Sequence, residues 1–156
     1  KGYLLLLDIY IYNNQFDKID SIFKKTETLE NQIKEKEFLL RYYIITYLIQ
    51  SLKDESREIG GIDLLEKLSA EDNKMEYSIS FWYLSIALAI NGDMENANKC
   101  LLQSQQLLIE KSKQNADEIH WDKILHTNPI NNQIITQKVE TLKKVERQKK
   151  GESKKK

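Results

Sequence analysis

The residues best suited to chemistry stand near the C-terminal end, where His120 and His126 lie among Asp117, Glu118 and Asp122. Imidazole and carboxylate groups at helical spacing could hold a divalent cation or pass a proton. A metal-binding pair on one helix face sits four residues apart. Six residues separate these two imidazoles, which puts them on different sides of one helix. They read as solvated helix residues, with no metal expected. Cys100, the single cysteine, has no base in its sequence context and reads as a small buried helix residue. "IGG" at residues 59–61 lacks the glycine pattern of a phosphate-binding loop and reads as a helix-breaking turn. No catalytic residue and no cofactor is expected, so the chain is not read as an enzyme.

The elements that carry these residues must be helices. Among 156 residues there are one proline and five glycines, 40% are apolar and 31% are charged. That composition describes one globular domain with few helix breakers. A lone cysteine fits a reducing compartment, and the expected location is cytoplasmic. No run reaches the roughly 18 apolar residues of a membrane span. The N-terminal "YLLLLDIYIY" is interrupted by Asp8 and has neither the basic region nor the cleavage site of a signal peptide. The chain begins at Lys1 and enters this apolar run at once, which reads as a fragment of a longer protein. Charge is uneven. Lys143 to Lys156 holds eight basic residues against two acidic ones, so a basic tail follows an acidic body. The tail, 148–156, is expected to be disordered. With no interleaved aromatics and no recognition helix, nucleic acid is not the expected partner.

Apolar residues recur at helical spacing almost throughout. Tyr3, Leu6, Leu7 and Tyr10 form one stripe, and Phe16, Ile19, Ile22, Phe23 and Leu29 a second. "EFLLRYYIITYLIQSL" and "IDLLEKLS" follow as a third and fourth helix, with a fifth over Ser78 to Asn91 and a sixth over Met94 to Glu110. A seventh is expected over 116–126. In "HTNPINN", Asn128 can cap and Pro129 can open an eighth helix, over 130–147, with Ile135, Val139, Leu142 and Val145 on one face. No strand is found.

Two of these segments share one template. Counting from Gly92, Phe81, Leu84 and Leu88 stand at −11, −8 and −4, Met94 at +2, Ala97 at +5, Leu101 at +9 and Ser104 at +12. Counting from Asn14, the same offsets give Tyr3, Leu6, Tyr10, Phe16, Ile19, Phe23 and Thr26. Gly92 and Asn14 tolerate the left-handed conformation that ends a helix and reverses the chain. A small residue at Ala97 lets two helices approach closely.

These residues, above all "FWYLSIALAINGDMENANKCLLQS", resemble the tetratricopeptide (TPR) repeat. The origins lie 78 residues apart, slightly more than two such repeats, so a middle copy fits between them with Leu40, Tyr43 and Tyr47 at matching places. The resemblance implies an all-α fold in which hairpins over 3–30, 37–69 and 78–110 stack as a short right-handed solenoid. With two terminal helices this gives about eight helices in one domain over 1–142. "HWDKILHTNPINNQIITQKV" is similar to the segment that closes the helical repeats of some bacterial signalling ATPases and cyclase-linked regulators.

In a TPR-like stack the first helix of each hairpin lines the concave surface that takes peptides or partner helices. The register puts Leu4, Asp8, Ile11 and Tyr12 there from the first hairpin. Phe38, Arg41, Ile45, Leu48 and Ile49 come from the second, and Ile79, Trp82, Ile86, Ala89 and Ile90 from the third. The partner-binding candidates are Tyr12, Arg41, Ile45, Leu48, Ile49, Ile79, Trp82, Ile86 and Ile90, with Trp82, Arg41 and Tyr12 as anchors. Helices so apolar are normally covered. The cover is either the remainder of the same polypeptide, a second copy in a homodimer, or an apolar peptide or protein partner. The resemblance therefore implies a non-catalytic interaction module. The other reading is a regulatory or sensor domain of a bacterial signalling ATPase, a cyclase or a peptide-responsive transcription regulator.

Overall fold

The computed structural model describes residues 2–13, 15–27, 36–56, 59–72, 74–115 and 120–137. Among them the chain is helical, without a strand: α1 (Gly2–Tyr12), α2 (Phe16–Glu27), α3 (Lys36–Lys53), α4 (Gly61–Ser69), α5 (Ser78–Ile90), α6 (Met94–Asn115), α7 (Trp121–Thr127) and α8 (Pro129–Thr136), with a short 3-10 turn at Lys74–Tyr77 before α5. Asn14, Leu29, Asp117, Glu118, Val139, Leu142, Val145 and the 148–156 tail lie outside the described residues. None of the described helices is long and apolar enough to cross a membrane.

The turn between α5 and α6 follows from its sequence. Gly92 has φ 86°, the region open to glycine at no steric cost. With Gly92 so turned, the Asp93 amide donates to the Leu88 carbonyl at 3.0 Å and the Gly92 amide to Ala89 at 3.1 Å, a Schellman closure. Asp93 then starts α6, its Oδ1 accepting from the Asn96 amide at 3.2 Å. The same five-residue return joins the Gln15 amide to Tyr10 at 2.9 Å and the Glu55 amide to Gln50 at 3.0 Å. At the α3 end the left-handed residue is Asp54, φ 61°. α3 is thus one turn longer than a middle copy with Leu40, Tyr43 and Tyr47 at the template offsets requires. Asp, like Asn, tolerates that conformation better than most side chains, and no glycine marks the spot.

α5 is the centre of the molecule. It packs most extensively against α6, then α3, and also against α4, whereas α1 and α2 pack most closely on each other. Small residues make the α5–α6 crossing tight. Ala97, Cys100, Ser85 and Ser104 are all buried, and Ser104 Oγ donates to the Ser78 carbonyl at 2.7 Å. Enlarging Ala97 to leucine is expected to cost about 1–3 kcal/mol by overpacking, read as a lowered midpoint in urea. An unchanged midpoint would mean that this crossing has room. A second close approach falls at Gly61, the first residue of α4, where a Cβ would come within 2.7 Å of both Leu88 Cδ2 and Tyr47 Oη. The "IGG" turn is therefore also a packing site. Tyr47 is fixed from the other side, since Asn91 Nδ2 donates to its Oη at 3.0 Å and to Ser51 Oγ at 2.7 Å.

At the C-terminal end Asn128 caps α8, its Oδ1 accepting from the Ile130 and Asn131 amides at 3.0 and 3.2 Å, with Pro129 in the first turn. α8 stops at Thr136, because Gln137 is extended, φ −66° and ψ 129°. The helix expected to run on through Val145 is interrupted at Gln137, and its remainder lies outside the described residues. The helix gives way where the Gln105 side chain of α6 takes hold of the backbone and the Trp82 indole of α5 meets the Gln137 side chain.

Candidate functional site

Asp8 is the single charge of α1, and Arg41 is the single charge inside α3 between the charged residues at its two ends. Burial of a single charge is costly and a paired one is tolerated. The fold brings the two together. Arg41 Nη2 is in contact with Asp8 Oδ2, with side chains 14% and 6% exposed. Tyr83 on α5 donates its hydroxyl to Asp8 Oδ1 at 2.6 Å, and the Arg41 guanidinium lies 6.0 Å from the Tyr83 ring centre, within cation–π range. One side chain from each of α1, α3 and α5 thus meets in a single polar cluster.

The protonation states follow from this setting. Burial pushes the Asp8 carboxyl up from its ordinary value, against the pull of Arg41 and of the Tyr83 hydroxyl. Burial draws Arg41 down most strongly, but Asp8 and Tyr83 together outweigh it and leave it above its ordinary value, so its guanidinium stays charged. The Tyr83 phenol is held well above its ordinary value by burial and by Asp8, which keeps it a donor. Arg41 Nε is buried without a hydrogen-bond partner. The cluster joins α1, α3 and α5 through one carboxylate.

Around this cluster the candidate wall divides. Ile45, Leu48, Ile49, Trp82 and Ile90 are buried, Trp82 to 1% exposure. Their cover is this chain itself. Tyr12, Arg41, Ile79 and Ile86 are partly exposed, as is Phe38, while Asp8, Ile11 and Ala89 are buried. The Trp82 indole Nε1 donates to Gln137 Oε1 at 2.6 Å, so the C-terminal segment reaches the third helix of the wall. Tyr83, Gln105 and Gln137 had no signal in repeat spacing. Asp8 and Arg41 did, since opposite charges stranded in two apolar helices of one wall require each other.

The residues first in line for chemistry are not assembled for it. Among the described residues no group of three or more His, Cys, Asp or Glu could hold a metal ion. His126 Nδ1 lies 2.8 Å from Asn132 Oδ1, and its Nε2 3.6 Å from Asp122 Oδ1, on an exposed surface. Cys100 is buried, and burial, with Asp93 nearby, pushes its thiol up to about 12, far from a reactive thiolate.

Comparison with protein-family models, with curated proteins and with solved structures gives no match.

Proposed function

We propose that the chain is a non-catalytic module of TPR-like hairpins, stacked as a right-handed solenoid, that binds a protein or peptide partner along the wall formed by α1, α3 and α5. The observation that carries this reading is the Asp8–Arg41–Tyr83 cluster, which ties one residue of each of those three helices into a single surface. Tyr12, Ile79 and Ile86 remain partly exposed on them. Because Arg41 is already paired, the wall offers a partner apolar and aromatic contacts rather than a charge clamp. That favours a segment of protein over a phosphate backbone.

The test is selection of binders from a displayed random-peptide library on the purified chain. Selected peptides are expected to lose affinity about tenfold in Tyr12→Ala and Ile86→Asp, with cooperative melting retained in both. Leu102→Asp, at an exposed position on α6, is expected to change nothing. Peptides that bind all three variants as tightly as the parent would remove this wall from the reading.

A further inference from the structure

The end of α8 is gripped by side chains placed to recognise a chain leaving a helix. Gln105 on α6 donates from Nε2 to the carbonyl of Ile134 at 2.9 Å and to that of Gln137 at 3.0 Å. The first belongs to the last turn, whose carbonyls have no partner within the helix, and the second to the extended residue that follows it. That much is a cap supplied by a neighbouring helix. The bond from Trp82 Nε1 to Gln137 Oε1, 2.6 Å, is different in kind, because ending a helix does not require reading the side chain that follows it. Ile134, fully buried, belongs to the core itself. An apolar socket and two side-chain donors, one on main-chain carbonyls and one on a side-chain oxygen, thus recognise three features of one stretch: a branched apolar residue, two carbonyls three residues apart, and a glutamine amide.

The occupant is lightly held otherwise. α8 has eight residues, too few to be stable alone, and Ile134 is its one buried side chain. Segments with so few buried contacts belong to the low-stability end of a fold.

We propose that Trp82 and Gln105 form a docking site for the C-terminal end of a short helix with the pattern Ile-x-x-Gln, that the chain's own Ile134 to Gln137 occupies it, and that an external segment of the same chemistry binds by displacing them. This rests on the reading of the chain as a peptide-binding module and adds both a ligand pattern and a regulation. Tethering gives the internal segment an effective concentration on the order of millimolar, so the intact chain holds an external one weakly until α8 is released.

The experiment uses a labelled peptide copying residues 128–137 and the full chain. The intact chain is expected to bind it saturably but weakly, and Ile134→Ala to tighten binding by about tenfold or more, since the internal competitor is then weakened. On the Ile134→Ala chain, a peptide carrying Gln137→Ala is expected to bind several-fold more weakly, a difference that vanishes when Trp82→Phe is added. If Ile134→Ala melts below the assay temperature, Gln137→Ala in the chain takes its place, with a smaller gain expected. Lack of saturable binding to the intact chain, or equal affinity for the parent and the released chain, overturns the self-occupied site. A glutamine preference that survives Trp82→Phe overturns the role of the indole. Tyr12→Ala and Ile86→Asp separate this result from the partner wall: a failed 128–137 peptide beside library peptides sensitive to those two variants ends this proposal and leaves the wall standing.

Discussion

Arg41→Ala is expected to lower folding stability by about 3–5 kcal/mol at neutral pH, the typical cost of removing one member of a buried ion pair. The loss comes less from the attraction forfeited than from Asp8, which stays buried with only the Tyr83 hydroxyl against its charge. The pH dependence has a definite sign. Burial already raises the Asp8 carboxyl, and without the guanidinium it rises further. A carboxyl whose folded value lies above its unfolded value stabilises while it is protonated in both states, and loses that contribution as pH climbs through the folded value. The penalty of Arg41→Ala should therefore be largest near neutrality and shrink on acidification. Urea denaturation of parent and variant over a pH series measures it. A deficit below about 1 kcal/mol, the range of exposed pairs, would mean that the cluster is solvated. Replacing Asp8 and Arg41 together by leucine and methionine is expected to be far milder than either single loss.

Trp82→Ala is expected to cost about 3–5 kcal/mol, the range for emptying a buried aromatic site. Trp82 is almost wholly enclosed, its ring 5.2 Å from that of Tyr83. Trp82→Phe keeps much of the ring volume, loses the bond to Gln137 and should cost about 0.5–1.5 kcal/mol for the hydrogen bond, beyond a small packing loss. The pair separates two roles assigned to one position, filling the core and recognising the C-terminal segment. A Trp82→Ala protein that keeps its parent's midpoint would return the indole to the surface and make it an open anchor.

The architecture is legible where local chemistry dictates it. The turn at Gly92, the cap at Asn128 with Pro129, and the close approach at Ala97 each follow from one or two residue types with a unique conformational use. Hairpin stacking and handedness are not local properties, and they stay part of the proposal. The end of α3 falls at Lys53, beside the expected Leu52, but the chain reverses at Asp54, about one turn beyond the place that Leu40, Tyr43 and Tyr47 set for the middle copy. The end of α8 was not legible: Ile135 continues an apolar period towards residues beyond 137, while the helix ends where Gln105 on α6 bonds to the carbonyls of Ile134 and Gln137. Spacing alone lists a wall of apolar side chains, and whether each faces a partner or the chain's own core depends on distant elements. Ile45 and Leu48 differ from Ile86 in that respect and in little that a residue type records.

The bond between Tyr83 and Asp8 joins residues 75 positions apart, whereas α5 and α6 meet across a three-residue turn. Contacts of such different range do not form together: the α5–α6 pair is the natural nucleus, and α1 with α2 closes last, after the long loop entropy has been overcome. The same asymmetry holds in the native state. Because α1 and α2 pack mostly on each other, their amides are expected to exchange with solvent through an opening that leaves α5 and α6 intact. The Asp8 carboxylate is thus a polar link of that first pair to α3 and α5, beside the apolar one made by Leu7 and Ile11 in the common core.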